Sequence, residues 1–278
     1  MAGAVHEQGA MCELFAMSAS APTDVQLSLD ELARHGGGTG PHRDGWGVGF
    51  VQEGDALVVR EPEAASESRH MAFLRGQDVR ASIVLAHIRR ATQGRRLLRN
   101  TQPFARELGG RVHLFAHNGM LPDVESAVRL STRRFLPVGD TDSEHAFCAL
   151  LERMAPLWDE GVPSLEKRLA VVEAFAGRLR ELGPANFLYS DGETVFAHGH
   201  ERRDDRGILR PPGLYVLCRT CSARSEAPRV PGPSIAPERE QKAVLVASVP
   251  LTSEGWEPLA EGSVAVLQQG RIVGRRAR

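Results

Sequence analysis

The chain of 278 residues reads as an α+β protein with two layers of sheet. Strand-like segments open it, two amphipathic helices follow, and strand-like segments return to the end. Ile83 to Ala86 is continuously apolar, as in a strand covered on both faces. No internal repeat and no linker divides the sequence.

Taken in order, CELFAMSA reads as a strand beginning at Cys12. Ser28-Leu29-Asp30-Glu31 fits a capping box ahead of a short helix through Leu32 and Ala33, ended by the glycines at 36–38. GGGTGPHRDGWGVGF is expected to be a loop whose backbone turns tightly or admits a close neighbour. WGVGFV and ALVVRE are expected to pair around Glu53-Gly54-Asp55. RVHLFAHNG ends in Asn118-Gly119, a turn signal.

Thr141-Asp142-Ser143-Glu144 opens a helix with Phe147, Leu150, Leu151 and Met154 at helical spacing. A second helix from Ser164 places Leu165, Leu169, Val172, Phe175, Leu179 and Leu182 on one stripe. NFLYS and TVFAHGH flank Asp191-Gly192 as a hairpin. LYVLCRTC, AVLVASVPL and SVAVLQQGRIVG supply further strands, and Arg224 to Glu240, rich in Pro, Ser and charge, reads as an exposed loop.

Composition excludes several classes of function. Hydrophobic residues make up 42% and charged residues 25%, ordinary usage for a soluble protein. A net charge of −1 gives no electrostatic case for nucleic acid or an anionic membrane surface. No apolar run approaches the ~20 residues of a membrane span. The first eleven residues lack the basic and apolar regions of a secretion signal. Cys12, Cys148, Cys218 and Cys221 do not form a disulfide framework in so long a chain, and a cytoplasmic protein is expected. Cys218-Arg-Thr-Cys221 is a lone CxxC without a second Cys or His pair, so no metal is assigned to it. Cys148 lies on the apolar stripe of its helix and reads as core.

MCELFAMS, from Met11 to Ser18, sets a methionine directly before a cysteine. Removal of that methionine would leave Cys12 with a free α-amine, whose pKa of roughly 7.7–8.0 suits a base at neutral pH. A free thiol, near pKa ~8.5, is mostly protonated there and needs such a base. Three arrangements of residues 1–11 are open. The start is set too early and Met11 is the true initiator, which we favour; or a propeptide is cleaved at Met11-Cys12; or the leader persists and blocks the amine. A retained leader is expected over or near the pocket mouth.

Behind the cysteine, GGGTGPHRDGWG, AHIRRATQG, NTQPF, FAHNGML and VGDTDSEHAF follow in order. With these motifs the chain resembles a class II glutamine amidotransferase, most similar to the small stand-alone bacterial members beginning MCELLGMS. The likeness runs from Met11 nearly to the C-terminus and includes EGWEPLAEGSVAV. It implies the N-terminal nucleophile hydrolase fold: a four-layer αββα sandwich of two antiparallel sheets, with residues 12–278 as one domain.

It also implies roles. Cys12 would attack the glutamine side-chain amide, giving a γ-glutamyl thioester and ammonia. Asn118 and Gly119 would form the oxyanion hole. Arg89 would grip the α-carboxylate through its guanidinium fork, and Asp142 would receive the α-ammonium, with helix N-cap as its alternative role. Thr92 is an expected secondary contact. Alternation along a strand would send Arg89 and Arg90 to opposite faces, so one of them should enter the site. Asp44-Gly45-Trp46-Gly47 would border the pocket, with Trp46 either a lid or a core aromatic. His87 and His117 are expected to pack or to support.

No cofactor is implied, and neither a GxxxxGK[ST] nor a GxGxxG motif is present. The ammonia acceptor is open between a separate synthase and water, and the oligomeric state is open. Two other functions stand beside this one: hydrolysis of a different γ-glutamyl amide, as in thiol biosynthesis, and non-catalytic amino-acid binding on the same fold. The intact cysteine and both oxyanion donors argue against the second.

Overall fold

Alternation along the first strand organises the molecule. The computed structural model describes residues 12–40, 42–91, 94–204, 206–221 and 241–276. The leader, Thr92 and the loop expected at Arg224 to Glu240 lie outside the described residues.

In chain order the strands begin with β1 (Glu13–Asp24), β2 (Trp46–Gln52), β3 (Asp55–Glu61), β4 (Arg80–Ile88) and β5 (Phe104–Leu108). Next come β6 (Arg111–Gly119), β7 (Ala185–Ser190), β8 (Val195–His198), and the short ribbon of β9 (Arg202–Arg203) and β10 (Leu209–Arg210). The last are β11 (Tyr215–Cys221), β12 (Gln241–Ala247), β13 (Glu257–Pro258), β14 (Val264–Gln268) and β15 (Arg271–Arg276). The α-helices are α1 (Gln26–Ala33), α2 (Arg69–Arg75), α3 (Val124–Ala127), α4 (Asp142–Trp158) and α5 (Leu165–Arg180).

Seven strands form one antiparallel sheet in the order β13-β11-β12-β1-β4-β2-β3, and six form another in the order β15-β14-β8-β7-β6-β5. In β1, Phe15, Met17 and Ala19 pack with Leu29 and Leu32 of α1 and Met71 and Leu74 of α2. Leu14 and Ala16, on the opposite face, meet Leu114 and Ala116 of β6, Leu188 of β7 and Val244 and Val246 of β12. The second sheet's outer face, with Phe115, Phe187 and Phe196, packs on Phe147 and Leu150 of α4 and Val172 and Phe175 of α5. The layers are therefore helix, sheet, sheet, helix, as the resemblance implied.

Most elements fall where periodicity placed them; three local expectations need correction, and one open alternative is decided. α1 starts at Gln26 behind a buried Val25, so Ser28 stands inside the helix instead of capping it. Anchoring of Val25 in the core overrides the local capping signal. Asn118-Gly119 is no tight turn: both residues continue β6, paired with Asn186 and Ala185 of β7. Thr141 is the N-cap of α4, its hydroxyl accepting the Glu144 N–H at 3.3 Å, and Asp142 is the first helical residue. Trp46 is fully buried in β2 and is a core aromatic, not a lid.

The wide turn Arg34–Gly38 after α1 is fastened to β1 by charge. Its His35 hydrogen-bonds the buried Glu13 at 2.7 Å and lies 3.2 Å from Glu31, while His42 stands 3.9 Å from the other Glu13 oxygen. Burial opposes ionisation of Glu13, yet the His35 hydrogen bond and the charges of His35, His42 and Arg202 hold its carboxyl below the usual range. The Glu13 hydrogen bond holds His35 above the usual imidazole range despite burial.

This pair has a definite pH window. A depressed carboxylate stabilises fully above its ordinary value of 4.5 and loses that stabilisation as pH falls through its lower folded value. A raised imidazole stabilises fully below 6.5 and loses it as pH climbs past its higher folded value. His35→Gln is therefore expected to lower the melting temperature most between pH 4.5 and 6.5, and less at alkaline pH. Melting curves of both proteins across pH check this; a deficit that grows with alkalinity contradicts the assignment.

Candidate active site

Strand parity brings the chemistry-bearing residues to one place. The parity that turns Leu14 and Ala16 into the space between the sheets turns Cys12, one residue ahead of β1, the same way. In β4, Leu85 faces inward, and so do His87 and the residue after the strand, Arg89. In β6, Leu114 and Ala116 face inward, and Asn118 continues that row. Cys12, His87, Arg89 and Gly119 border one pocket at this end, with Gln102, His117 and Asp142 completing its wall.

Cys12 is half-buried. Its Sγ lies 3.1 Å from both the carbonyl oxygen and the N–H of Arg90. Burial pushes the thiol above its ordinary value, and the Arg90 N–H and the Arg89 charge only partly reverse that. The sulfur is thus a protonated thiol at neutral pH and requires a base to become a nucleophile. The Asn118 carboxamide reaches across from the other sheet and donates to the Cys12 carbonyl.

Arg89 is buried, and the loop ahead of β2 holds it in place. The Arg89 N–H donates to Gly45 O at 2.8 Å and the Asp44 N–H to Arg89 O at 3.1 Å. Asp44 also accepts the Ala91 N–H at 2.8 Å. The guanidinium donates to the carbonyls of Gly94 at 3.1 Å, Arg95 at 3.3 Å and Asp44 at 3.4 Å. This loop therefore aims Arg89, a role the sequence left vague. Gly47 lies in β2 opposite His87, where an added Cβ would stand 2.2 Å from the Gln102 carbonyl oxygen. Arg90 meets the pocket through its backbone, whose N–H and carbonyl oxygen both lie 3.1 Å from the Cys12 sulfur.

Asp142 accepts the Leu121 N–H at 2.8 Å with one oxygen. Its other oxygen takes the Ser143 N–H at 2.7 Å and the Ser143 hydroxyl at 3.2 Å. A carboxylate has about four acceptor positions, so room remains for a ligand donor. The Ser143 hydroxyl is also 2.9 Å from Nδ1 of His117. Burial pushes His117 down, against the pull of Asp142 and the Pro184 carbonyl. His87 is pushed down to about 3 by burial and by the charges of Arg89, His117 and His42, so its ring is neutral. Neither of its nitrogens has a hydrogen-bond partner among the described residues.

The backbone of β6 completes the wall. The His117 N–H donates to Gln102 Oε1 at 2.6 Å, and His117 O accepts from Gln102 Nε2 at 3.2 Å. Successive strand residues present these groups to opposite edges, so those of Asn118 face β7 and the Gly119 N–H faces the same open edge as His117. Gln102 and Ser143 were not anticipated as site residues. NTQPF places Gln102 just ahead of β5, the strand that pairs with β6.

Elsewhere Cys148 is buried, with its thiol pushed up to about 11 chiefly by burial, and Cys218 is exposed. Among the described residues no cluster of His, Cys, Asp and Glu could hold a metal ion, and no helix is long and apolar enough to cross a membrane.

The sequence pattern of the class-II glutamine amidotransferases matches residues 11–278. The chain belongs to that family. YafJ of Escherichia coli K12 is 40% identical over 188 residues, spanning 68% of this chain and 72% of that protein. Methanocaldococcus jannaschii MJ1515 is 30% identical over 268 residues, 95% of this chain and 71% of that protein. A Pseudomonas aeruginosa crystal structure, described as a predicted glutamine amidotransferase, superposes with a TM-score of 0.70 at 30% identity, covering 95% of this chain and all of the other. Bacillus subtilis glutamine phosphoribosylpyrophosphate amidotransferase shares the fold at 15% identity and a TM-score of 0.57, the match covering 48% of that enzyme. The chain is thus a class II amidotransferase on the N-terminal nucleophile hydrolase fold.

Space alone calls for glycine at position 119. A Cβ there would stand 1.8 Å from the Pro184 carbonyl oxygen and 2.9 Å from His117 Nε2. Gly119→Ala is expected to destabilise the protein by about 1–3 kcal/mol through overpacking. Urea unfolding measures this, and an unchanged midpoint would show that β6 and β7 separate freely here.

Proposed function

We propose that residues 12–278 form one amidotransferase domain that releases ammonia from L-glutamine through a γ-glutamyl thioester on Cys12, with Cys12 as the mature N-terminus. The observation that carries this is the donation from the Asn118 carboxamide to the Cys12 carbonyl, beside a pocket that also holds Arg89 and Asp142.

Arg89 takes the substrate α-carboxylate and Asp142 the α-ammonium, with Thr92 a further contact. Held by its head, a glutamine extends its side-chain amide to the sulfur; asparagine falls one methylene short, and a misplacement of about 1 Å is enough to damage reactivity. The Cys12 α-amine takes the thiol proton. The S–C bond then forms as the amide carbonyl becomes an oxyanion. The second N–H of the Asn118 carboxamide and the Gly119 N–H stabilise that charge. The amine returns the proton to the leaving nitrogen, the C–N bond breaks, and ammonia departs. Water cleaves the thioester to glutamate and restores the thiol. The buried, protonated sulfur supports this division of labour, because the nucleophile is not ionised in advance. The ammonia passes to a separate synthase or to water.

Cys12→Ala is expected to abolish ammonia release from L-glutamine and leave the circular-dichroism spectrum intact. Asn118→Ala should lower kcat by about 10²–10³. Arg89→Lys should raise KM strongly, because an ammonium cannot reproduce the fork. Intact mass and N-terminal sequencing of active protein, beside a panel of γ-glutamyl amides, decide between glutamine and another amide. Full activity with residues 1–11 still attached would overturn the amine's role.

A further inference from the structure

Gln102 touches both sheets, and neither contact is explained by the reaction as described. β5 begins only at Phe104, paired with Phe115, and the residue before it is Pro103. Continued by one more residue of each strand, the ladder would bring Pro103 opposite Ala116, and then Gln102 opposite His117. The backbone of Gln102 instead lies against β2, so close that a side chain at Gly47 would collide with its carbonyl oxygen. Its buried side chain returns to β6 and makes the two hydrogen bonds that a strand residue would have made to His117. The orientation of the carboxamide is chemically forced: the His117 N–H can only donate and the His117 carbonyl can only accept.

We propose that Gln102 is a positioning residue for the oxyanion hole, a one-residue substitute for a strand that ends edge pairing at His117. The inference rests on the assignment of Asn118 and Gly119 as oxyanion donors. A true β5 extended to this point would go on to cover the edge of Gly119 and consume its N–H. No extension at all would leave both His117 groups unpaired and the end of β6 unsupported. The carboxamide does neither: it satisfies His117 and then stops, because a side chain has no next residue. The Gly119 N–H, on the same edge two residues along, is left for the pocket. Since the Gln102 backbone is pressed against β2, the contact also ties the sheet carrying Cys12 to the sheet carrying Asn118 and Gly119.

The test separates this role from mere folding. Gln102→Leu removes both hydrogen bonds, and Gln102→Asn keeps the amide but falls one methylene short. Both are expected to lower kcat about 10- to 100-fold. Affinity for L-glutamate, which needs only the head clamp, should stay within about twofold, as should the rate of Cys12 alkylation by iodoacetamide, which needs no oxyanion hole. Alkylation by 6-diazo-5-oxo-L-norleucine, whose carbonyl stands where the glutamine amide carbonyl would, should slow in step with kcat. Gly47→Ala, pushing Gln102 from the other side, should show the same pattern.

Equal losses in glutamate affinity and iodoacetamide rate would reduce Gln102 to a structural residue, and unchanged kcat would dismiss it. Asn118→Ala, run alongside, distinguishes the two failures. If it also leaves diazo-ketone alkylation unslowed, the oxyanion assignment is at fault; if it slows alkylation and the Gln102 variants do not, this inference alone falls.

Discussion

The hydrogen bond from Asn118 to the Cys12 carbonyl crosses from one sheet to the other, and the site has meaning only if that gap is held. One sheet contributes the cysteine and, just past β4, the guanidinium; the other contributes the two proposed oxyanion donors, and α4 behind it contributes the carboxylate. Packing decides the separation. A typical intramolecular hydrogen bond nets about 0.5–1.5 kcal/mol, whereas each buried leucine contributes roughly 1.5–3 kcal/mol. Leu14, Leu85, Leu114 and Leu188 lie in the layer between the sheets, so their interdigitation sets the spacing. The Asn118 contact then fixes which residue faces which. Ala16 and Ala116, small residues in the same layer, let the sheets approach near the site.

Parity extends this control to the reactive groups. A one-residue slip in β1 would turn Cys12 outward into the helix-covered core, where Phe15 and Met17 lie. The large apolar side chains of both faces forbid that slip, so the same residues that stabilise the sheet also aim the sulfur. The register of β1 with β4, Leu14 opposite His87, places Arg89 level with Cys12. The Asp44-Gly45 backbone holds it there after the strand has ended.

Much of the fold was legible because period-2 and period-3.6 patterns report burial, and burial is what the chain must achieve. The hairpin at Asp191-Gly192 and the stripes on α4 and α5 are of this kind. Local capping and turn chemistry proved less reliable. Ser28 lost to the burial of Val25, and Asn118-Gly119 carried a turn signal yet continued a strand because Asn186 and Ala185 lay opposite to pair with it. Arg89, Asp142, Asn118 and Gly119 were found by likeness to a family, and the structure gathers them beside Cys12. Gln102 and Ser143 reach the site through contacts between segments distant in sequence. Only the pairing of His117 with Gln102 and with Ser143 makes their placement visible.

Electrostatics explains why so buried a pocket does not activate its own sulfur. Arg89 and the Arg90 N–H both favour thiolate, but desolvation outweighs them and the thiol stays up. The two imidazoles bordering the pocket, His87 and His117, are both pushed down by burial, and His87 is neutral at physiological pH. Neither is hydrogen-bonded to the sulfur, whose contacts run to the Arg90 backbone. A neutral imidazole without a hydrogen bond to the thiol gives no route for its proton. On the proposed reaction the pocket would supply recognition and charge stabilisation, while among the described residues no side-chain base is hydrogen-bonded to the sulfur. For that proposed reaction the state of the Cys12 nitrogen is then decisive: as an amide it can accept no proton, and as an amine it stands on the same residue as the sulfur it would activate.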